Sequence, residues 1–536
     1  MSGSRGHAVA CGHPATAAAA VAVLEAGGNA FDAAAAALCA SFVAEPLLSS
    51  PGGGGFLLAA PSGEPPRIYD FFTHTPLARA GAGSEVDFRE VEVDFGSARQ
   101  TFQIGLGSAA TPGAVAGLFD FQGDLGRIPL GEVVAPAVSM AREGILVTEL
   151  QAYLATILEP ILRSAPSVEA VFAPGGSTVV AGEVQRLPEL ADLLETLAIE
   201  GRDLFYRGEV AAAVDRASRE GGGHLRREDF LRYQVELREP LAFSYRGHAG
   251  WTNPPPASGG VLVAFGLGLL GAAGSENPAT DPRGPEEALR LAAALVATGR
   301  ARRGEGLDAE VDLALARRFL APETLARYRD AQALHPPAPR GTSHLSVVDA
   351  AGNAASLSIS NGEGCGWVLP GGGFMLNNML GEADLQPRGF GRWPPGVRLT
   401  SMMAPTLVQG PDGRQVALGS GGSNRIRSAI LQVLVGILDH GLDLETAVAR
   451  SRLHAEGEHL DVEGGWSDAA VEALMPAWPD HAVWPDLNLF FGGVHVAAQG
   501  PGGAEGAGDP RRGGVARVVA RVGARGRWSG GGQRLP

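Results

Sequence analysis

The hydrophobic pattern divides the chain into helical and extended stretches that follow one another without a regular alternation. Residues 14–26 read as a helix, with Pro14 in the first turn and Gly27 just past the end. A fixed φ suits the first position and a free one suits the second. Asn29 then stands as an N-cap with Asp32 three residues on, the spacing of a capping box. The helix it opens is apolar nearly all round from Ala33 to Val43, so it is expected to be buried on every side. "EPLLSSPGGGGF", Glu45 to Phe56, reads as a Gly-rich loop running into a strand. Further helical patterns cover 131–143, 147–164, 186–198 and 207–219, and strand patterns cover 239–252, 343–349, 353–360, 404–408 and 414–419. This mixture lacks the βαβ rhythm of a doubly wound sheet and predicts an α+β layered fold. No internal repeat is visible, and only the Gly/Pro/Asp-rich sequence between Gly271 and Pro285 has the character of a linker.

Composition narrows the function classes. Of 536 residues, 45% are apolar and 19% charged, which supplies a large core and argues against global disorder. A net charge of −15 makes nucleic acid and anionic membrane poor partners for the whole chain. No apolar run reaches the ~18 residues a bilayer span needs, and no secretory pattern opens the sequence. A soluble, cytoplasmic protein is therefore expected. The end of the chain differs. After Asp509 it carries Arg511, Arg512, Arg517, Arg521, Arg525, Arg527 and Arg534 and no acid. The stretch is expected to be a solvated, frayed basic tail, with a docking tail as the alternative. Gly, at 77 residues, is about twice ordinary usage, which points to positive φ or close backbone approach at many positions.

Several motifs carry no chemistry. Cys11, Cys39 and Cys365 are too few and too far apart for a zinc site or a disulfide framework. "HAEGEH", His454 to His459, lacks the spacing of a zinc helix. "GLGLLG", Gly266 to Gly271, fits a dinucleotide fingerprint but sits inside one apolar run with no strand–turn–helix break. A helix using Gly for close packing is the simpler account. No metal and no cofactor is called for.

Two motifs do suggest chemistry. "GSGGSNR", Gly419 to Arg425, joins the strand Gln415–Leu418 to a helical run from Ile426 to Leu438. Free N–H groups at such a turn can hold an oxyanion, and an ordinary Ser/Asn cap is the alternative. "RGTSHLSVVDAAGN", Arg340 to Asn353, places Gly-Thr-Ser-His before a buried strand, after a Pro-rich approach. A Thr hydroxyl needs an adjacent base to act as nucleophile, and no G-x-S-x-G elbow is present. If self-cleavage made Thr342 the first residue of a chain, its own α-amine, with an ordinary pKa of ~7.7–8.0, would be that base. Gly341 is small enough to leave the preceding carbonyl open to attack. A capped loop is the alternative reading.

Taken in order, "GGNAFDAAAAA", "EPLLSSPGGGGF", "TPGAVAGL" (Thr111–Leu118), "FYRGEVA" (Phe205–Ala211), "NPPPASGG" (Asn253–Gly260), "GTSHLSVVD", "GFMLNNML" (Gly373–Leu380) and "GDPRRGG" (Gly508–Gly514) resemble the motifs of the γ-glutamyltransferase (γ-glutamyl transpeptidase) family of N-terminal-nucleophile hydrolases. The resemblance implies a four-layer αββα sandwich. It implies one inactive precursor that cleaves itself between Gly341 and Thr342. The large chain 1–341 and the small chain 342–536 would stay folded together, with 516–536 as a basic tail. Thr342 would form an acyl ester, Gly421, Gly422 and Ser423 would offer oxyanion N–H groups, and water or an amino acid would resolve the ester. The substrate implied is a γ-glutamyl amide of glutathione type.

The donor site departs from the family pattern. The family carries a Thr-x-Asn that steadies the nucleophile and holds the donor amine. Ungapped, Ser360 matches its Thr and Gly362 falls on its Asn, and Asn361 matches that Asn only if one residue is dropped. Glu382 replaces an Asp that holds the donor amine. Ser401-Met402 replaces a Ser-Ser pair that holds the donor carboxylate, and a thioether cannot donate a hydrogen bond. Neither Arg79 nor Arg89 is in register with the family's carboxylate-binding Arg. Two other readings follow: an acylase acting on an amide without a free α-amino acid end, and an unprocessed, non-catalytic relative.

Overall fold

The computed structural model describes residues 6–81, 85–94, 99–271, 279–307, 311–328, 342–386 and 388–520. Two antiparallel sheets form its centre. The first runs Val515–Val519, His7–Cys11, Ser343–Val348, Ala354–Ser360, Gly54–Ala60, Arg67–Phe71, Glu236–Arg238. The second runs Gly503–Ala507, Gly493–Gly500, Gln415–Gly421, Thr406–Gln409, His248–Thr252, Leu241–Tyr245. Strands from both sides of the Gly341–Thr342 position interleave in the first sheet: Ser343–Val348 lies between His7–Cys11 and Ala354–Ser360.

The two-residue period of the strands builds the layers. Leu345, Val347, Leu57, Ala59, Ala355 and Leu357 pack under the helices Pro14–Glu25, Ala30–Ala44 and Leu130–Glu143. Their neighbours Val348, Ala354, Phe56 and Leu58 face the other way. They share a core with Leu418, Val494 and Val496 of the second sheet and with the helices Gly259–Gly271, Pro285–Gly304 and Arg425–Leu438. The layers are helix, sheet, sheet, helix, the αββα sandwich expected.

The capping box at Asn29 forms. The Asn29 side chain accepts from the N–H groups of Phe31 and Asp32, and Asp32 Oδ2 accepts from Asn29 N at 2.9 Å. Asp32 is fully buried and also accepts from Arg127 N and Gln122 Nε2. Replacing Asp32 by alanine leaves those donors without their carboxylate inside the core. A stability loss of roughly 2–4 kcal/mol is expected, read as a lower urea midpoint at unchanged slope; a loss under about 0.5 kcal/mol counts against this account.

Several elements differ from the sequence reading. The helical pattern 147–164 is two helices, Glu149–Ile157 and Glu159–Leu162, parted at Leu158 because Pro160 has no N–H to donate. The single strand read over 239–252 is a hairpin. Leu241–Tyr245 and His248–Thr252 are joined by Arg246 and Gly247, both at positive φ (49° and 76°), the turn whose twist matches paired strands. An Arg in that conformation gave the pattern no break. "GLGLLG" lies in the helix Gly259–Gly271, where a Cβ on Gly266 would stand 2.3 Å from Leu431 Cδ1, so close packing is its use. The sequence between Gly271 and Pro285 joins two helices, with 272–278 outside the described residues.

The basic tail is corrected in its first part. Arg511 and Arg512 are buried, and Val515–Val519 is an edge strand paired with His7–Cys11. Arg511 is held by Glu463 at 2.6 Å and Asp509 at 3.2 Å. Residues 521–536 lie outside the described part. Among the described residues, no helix is long and apolar enough to cross a membrane.

Candidate active site

Thr342 stands at the mouth of the strand Ser343–Val348, in the middle of the first sheet. Alternation turns Leu345 and Val347 toward the helices, so His344, Ser346 and Thr342 face the second sheet. Thr342 there lines a cavity of about 30 Å³ together with Ser360, Glu382, Ser401 and Ser423. The fold thus gathers residues from Phe72 to Ile426 into one pocket. Gly341 lies outside the described residues.

The two sheets meet here at backbone distance, and glycine permits it. A Cβ on Gly419 would lie 2.3 Å from His344 Cε1, and one on Gly421 would lie 2.0 Å from the Thr342 carbonyl oxygen. The chain then turns at Gly422 and Ser423, both at positive φ (117° and 49°), before the helix Arg425–Leu438. Carbonyls of Gly422 and Ser423 accept from the N–H groups of Arg425 and Ile426. Their own N–H groups donate to no acceptor among the described residues. Ser423 Oγ donates to Asp384 Oδ2 at 3.1 Å, and Asp384 is a second carboxylate of the cavity beside Glu382. Sequence reading passed over Asp384. Its only signal is an acid two residues beyond Glu382.

The residues after Thr342 have fixed partners. Ser346 Oγ donates to the His495 carbonyl at 3.1 Å, so it must accept from His344 Nε2 at 2.9 Å. His344 Nδ1 then accepts from Ser358 Oγ at 2.8 Å. Burial, with His495 alongside, holds His344 well below the usual histidine range. It is a neutral link between two strands of the first sheet, and Ser346 carries the bond to the second. Ser343 turns to the other side and donates to Glu45 Oε2 at 2.8 Å. Thr16 donates to the other oxygen at 3.3 Å. Burial pushes the Glu45 carboxyl up to about 7, against the opposing pull of Ser343, Thr16 and the Arg512 charge. Arg512 reaches the Thr342 carbonyl at 3.4 Å.

The remaining donor residues separate into two groups. Ser360 lines the cavity, whereas Asn361 is buried behind it and donates to the Met375 carbonyl at 3.4 Å. Glu382 Oε1 lies against Gly362, where a Cβ would come within 2.3 Å. Ser401 Oγ accepts from Met403 N at 3.0 Å, which leaves its proton free to donate, and Met402 and Met403 form the adjoining wall. Arg79 donates to the Trp393 carbonyl and lies over the Trp393 ring, and Arg89 pairs with Asp87 at 2.8 Å. Neither lines the cavity, and no other described arginine does.

Comparison with known proteins places this geometry. A family model described as Gamma-glutamyltranspeptidase matches residues 16–519. The Acylase ACY 1 proenzyme of Pseudomonas sp. (strain SE83) is 30% identical, over 97% of this chain and 96% of its own length. The Glutathione hydrolase proenzyme of Pseudomonas aeruginosa is 30% identical, over 84% of this chain and 83% of its own length. Among solved structures, a cephalosporin acylase from Bacillus halodurans superposes with a TM-score of 0.81 at 25% identity, covering 97% of this chain and 96% of that one.

Proposed function

The chain belongs to the gamma-glutamyltranspeptidase family, and from that premise we propose that it is a self-processing amidohydrolase with Thr342 as its nucleophile. The observation that carries the proposal is the meeting of Thr342 with the 421–423 loop at one cavity. In processing, Thr342 Oγ1 attacks the Gly341 carbonyl and the hydroxyl proton passes to the departing Thr342 nitrogen. Water then hydrolyses the resulting ester, releasing chain 1–341 and exposing the α-amine of chain 342–536. In turnover that amine takes the proton from Oγ1 as the hydroxyl attacks the donor amide. It returns the proton to the leaving amine, and an acyl ester remains. Water or an amino acid resolves it. The N–H groups of Gly422 and Ser423, with that of Gly421, are the donors for the tetrahedral oxygen. Removing such a donor costs on the order of 10²–10³ in rate elsewhere.

Two donor classes fit this chemistry. A γ-glutamyl amide of glutathione type is supported by Glu382, a carboxylate able to take the α-ammonium. An acyl amide with no α-carboxylate is supported by Met402, a thioether where a carboxylate would need a hydroxyl, and by the lack of a described arginine in the lining. The cavity favours the second, because a buried carboxylate facing no arginine among the described lining residues is costly. Processed enzyme should cleave simple acyl-p-nitroanilides with kcat/KM at least ~10-fold above γ-glutamyl-p-nitroanilide. The opposite order would sink this choice of donor.

A further inference from the structure

The nucleophile's own strand has two side-chain anchors that the acyl-transfer chemistry does not use. Glu45 follows the helix Ala30–Ala44 and is 4% exposed. One carboxylate oxygen accepts from Ser343 and the other from Thr16, on the helix Pro14–Glu25. The carboxylate also lies against backbone, since a Cβ on Gly12 would come within 2.6 Å of Oε2. It therefore cannot retreat from Ser343. On the far side of the same peptide, Arg512 donates to the Thr342 carbonyl at 3.4 Å and to the Leu489 carbonyl at 3.4 Å. Its stem is pressed over Gly493, where a Cβ would meet Arg512 Cδ at 2.3 Å. A buried acid and a buried base thus grip the residue after the nucleophile and the nucleophile's carbonyl, from opposite ends of the chain's sequence.

Resting on the reading of Thr342 as nucleophile, we propose that Glu45 is a positioning residue for it, acting through the Ser343 hydroxyl and balanced by Arg512. The physical need is specific. Once Gly341 is cut away, Thr342 loses its covalent hold on one side. Its remaining covalent hold then runs through the 342–343 peptide, which helps set the orientation of its amine and hydroxyl. Tying Ser343 to two outer helices through one carboxylate fixes that peptide, while the second sheet and Arg512 fix its carbonyl. A misplacement of about 1 Å in such a site costs on the order of 10²-fold in rate.

The test uses full-length protein with Glu45→Ala, Glu45→Gln, Ser343→Ala and the Glu45→Ala/Ser343→Ala double variant, each compared per processed chain counted by intact-mass spectrometry. Glu45→Ala should lower kcat about 10²-fold with KM within about twofold. Glu45→Gln keeps the volume and an acceptor for Ser343 but loses the charge facing Arg512, so it should fall between. Because both residues act as one unit, the double variant should be no slower than about threefold below the worse single variant. Unchanged kcat in Glu45→Gln and Glu45→Ala overturns the proposal, as do losses that multiply in the double variant. Should Glu45→Ala fail to fold, Glu45→Gln against Ser343→Ala decides alone: equal kcat to the parent in both overturns it. Thr342→Ala is run in parallel. Activity surviving in Thr342→Ala refutes the nucleophile itself, a result distinct from any of these.

Discussion

Thr342→Ala is expected to yield a single chain of 55.1 kDa on a denaturing gel, where a self-processing parent should yield two. Turnover of any amide substrate falls by ~10³-fold or more, the scale of losing a covalent nucleophile. The fold should survive, because Thr342 ends a strand whose packing is carried by Leu345, Val347 and Val348. Thr342→Ser separates the roles. It keeps a hydroxyl and an α-amine, so it should process and turn over, more slowly. A two-chain pattern in Thr342→Ala would refute cleavage by this hydroxyl, and full activity in it would remove Thr342 from the mechanism altogether.

Gly421→Ala is expected to be the most damaging change outside Thr342 itself. Its φ lies in an ordinary region, so backbone strain is not the issue. The added methyl would stand 2.0 Å from the Thr342 carbonyl oxygen and 3.2 Å from Arg512 Nη1. Neither neighbour can yield freely. The carbonyl directly precedes a strand that is paired with Ala354–Ser360 from its first residue, and Arg512 is buried. The two sheets must part where the 421–423 loop faces Thr342. A rate loss on the order of 10²-fold or more, slowed processing and a stability loss of about 1–3 kcal/mol follow. The readouts are single-turnover kinetics, the ratio of cut to uncut chain over time, and a urea midpoint. A variant with parental kinetics would mean that the strand Gln415–Gly421 does not set the donor positions.

Both predictions turn on a contact that no stretch of sequence displays. "GSGGSNR" announces a tight, small-residue turn, and "GTSH" announces hydroxyls before a strand. Only pairing between sheets makes Gly419 the partner of His344 and Gly421 the partner of Thr342. The same holds for Glu45, which reads as the start of a Gly-rich loop. Its bond to Ser343 spans 298 positions. Asp384 was invisible for a related reason: a carboxylate in a polar turn has no periodicity to mark it. Whether Asn361 takes the place of the family's Asn depends on a one-residue gap that sequence cannot fix. In the fold Ser360 lines the cavity and Asn361 lies behind it. The Arg-rich end misled for the opposite reason. Composition marks a stretch without acids as solvated, but Arg511 finds Glu463 from a distant part of the chain, and Val515–Val519 finds a sheet edge.

What the sequence by itself determined is local or ordered along the chain. The capping box at Asn29, the all-apolar helix behind it, the strand after Thr342 and the succession of family motifs follow from spacing and residue type. Those are properties of neighbours, and helix caps, two-residue alternation and turn glycines act over a few positions. The tertiary structure alone decided which of the motif residues share a cavity, which arginines are buried in ion pairs, and which acid and base lie on the Thr342–Ser343 peptide. The physical reason is distance. Hydrogen bonds and close contacts reach ~3–4 Å, and only tertiary packing brings positions 421 and 512 within that range of 342, and position 45 within that range of 343.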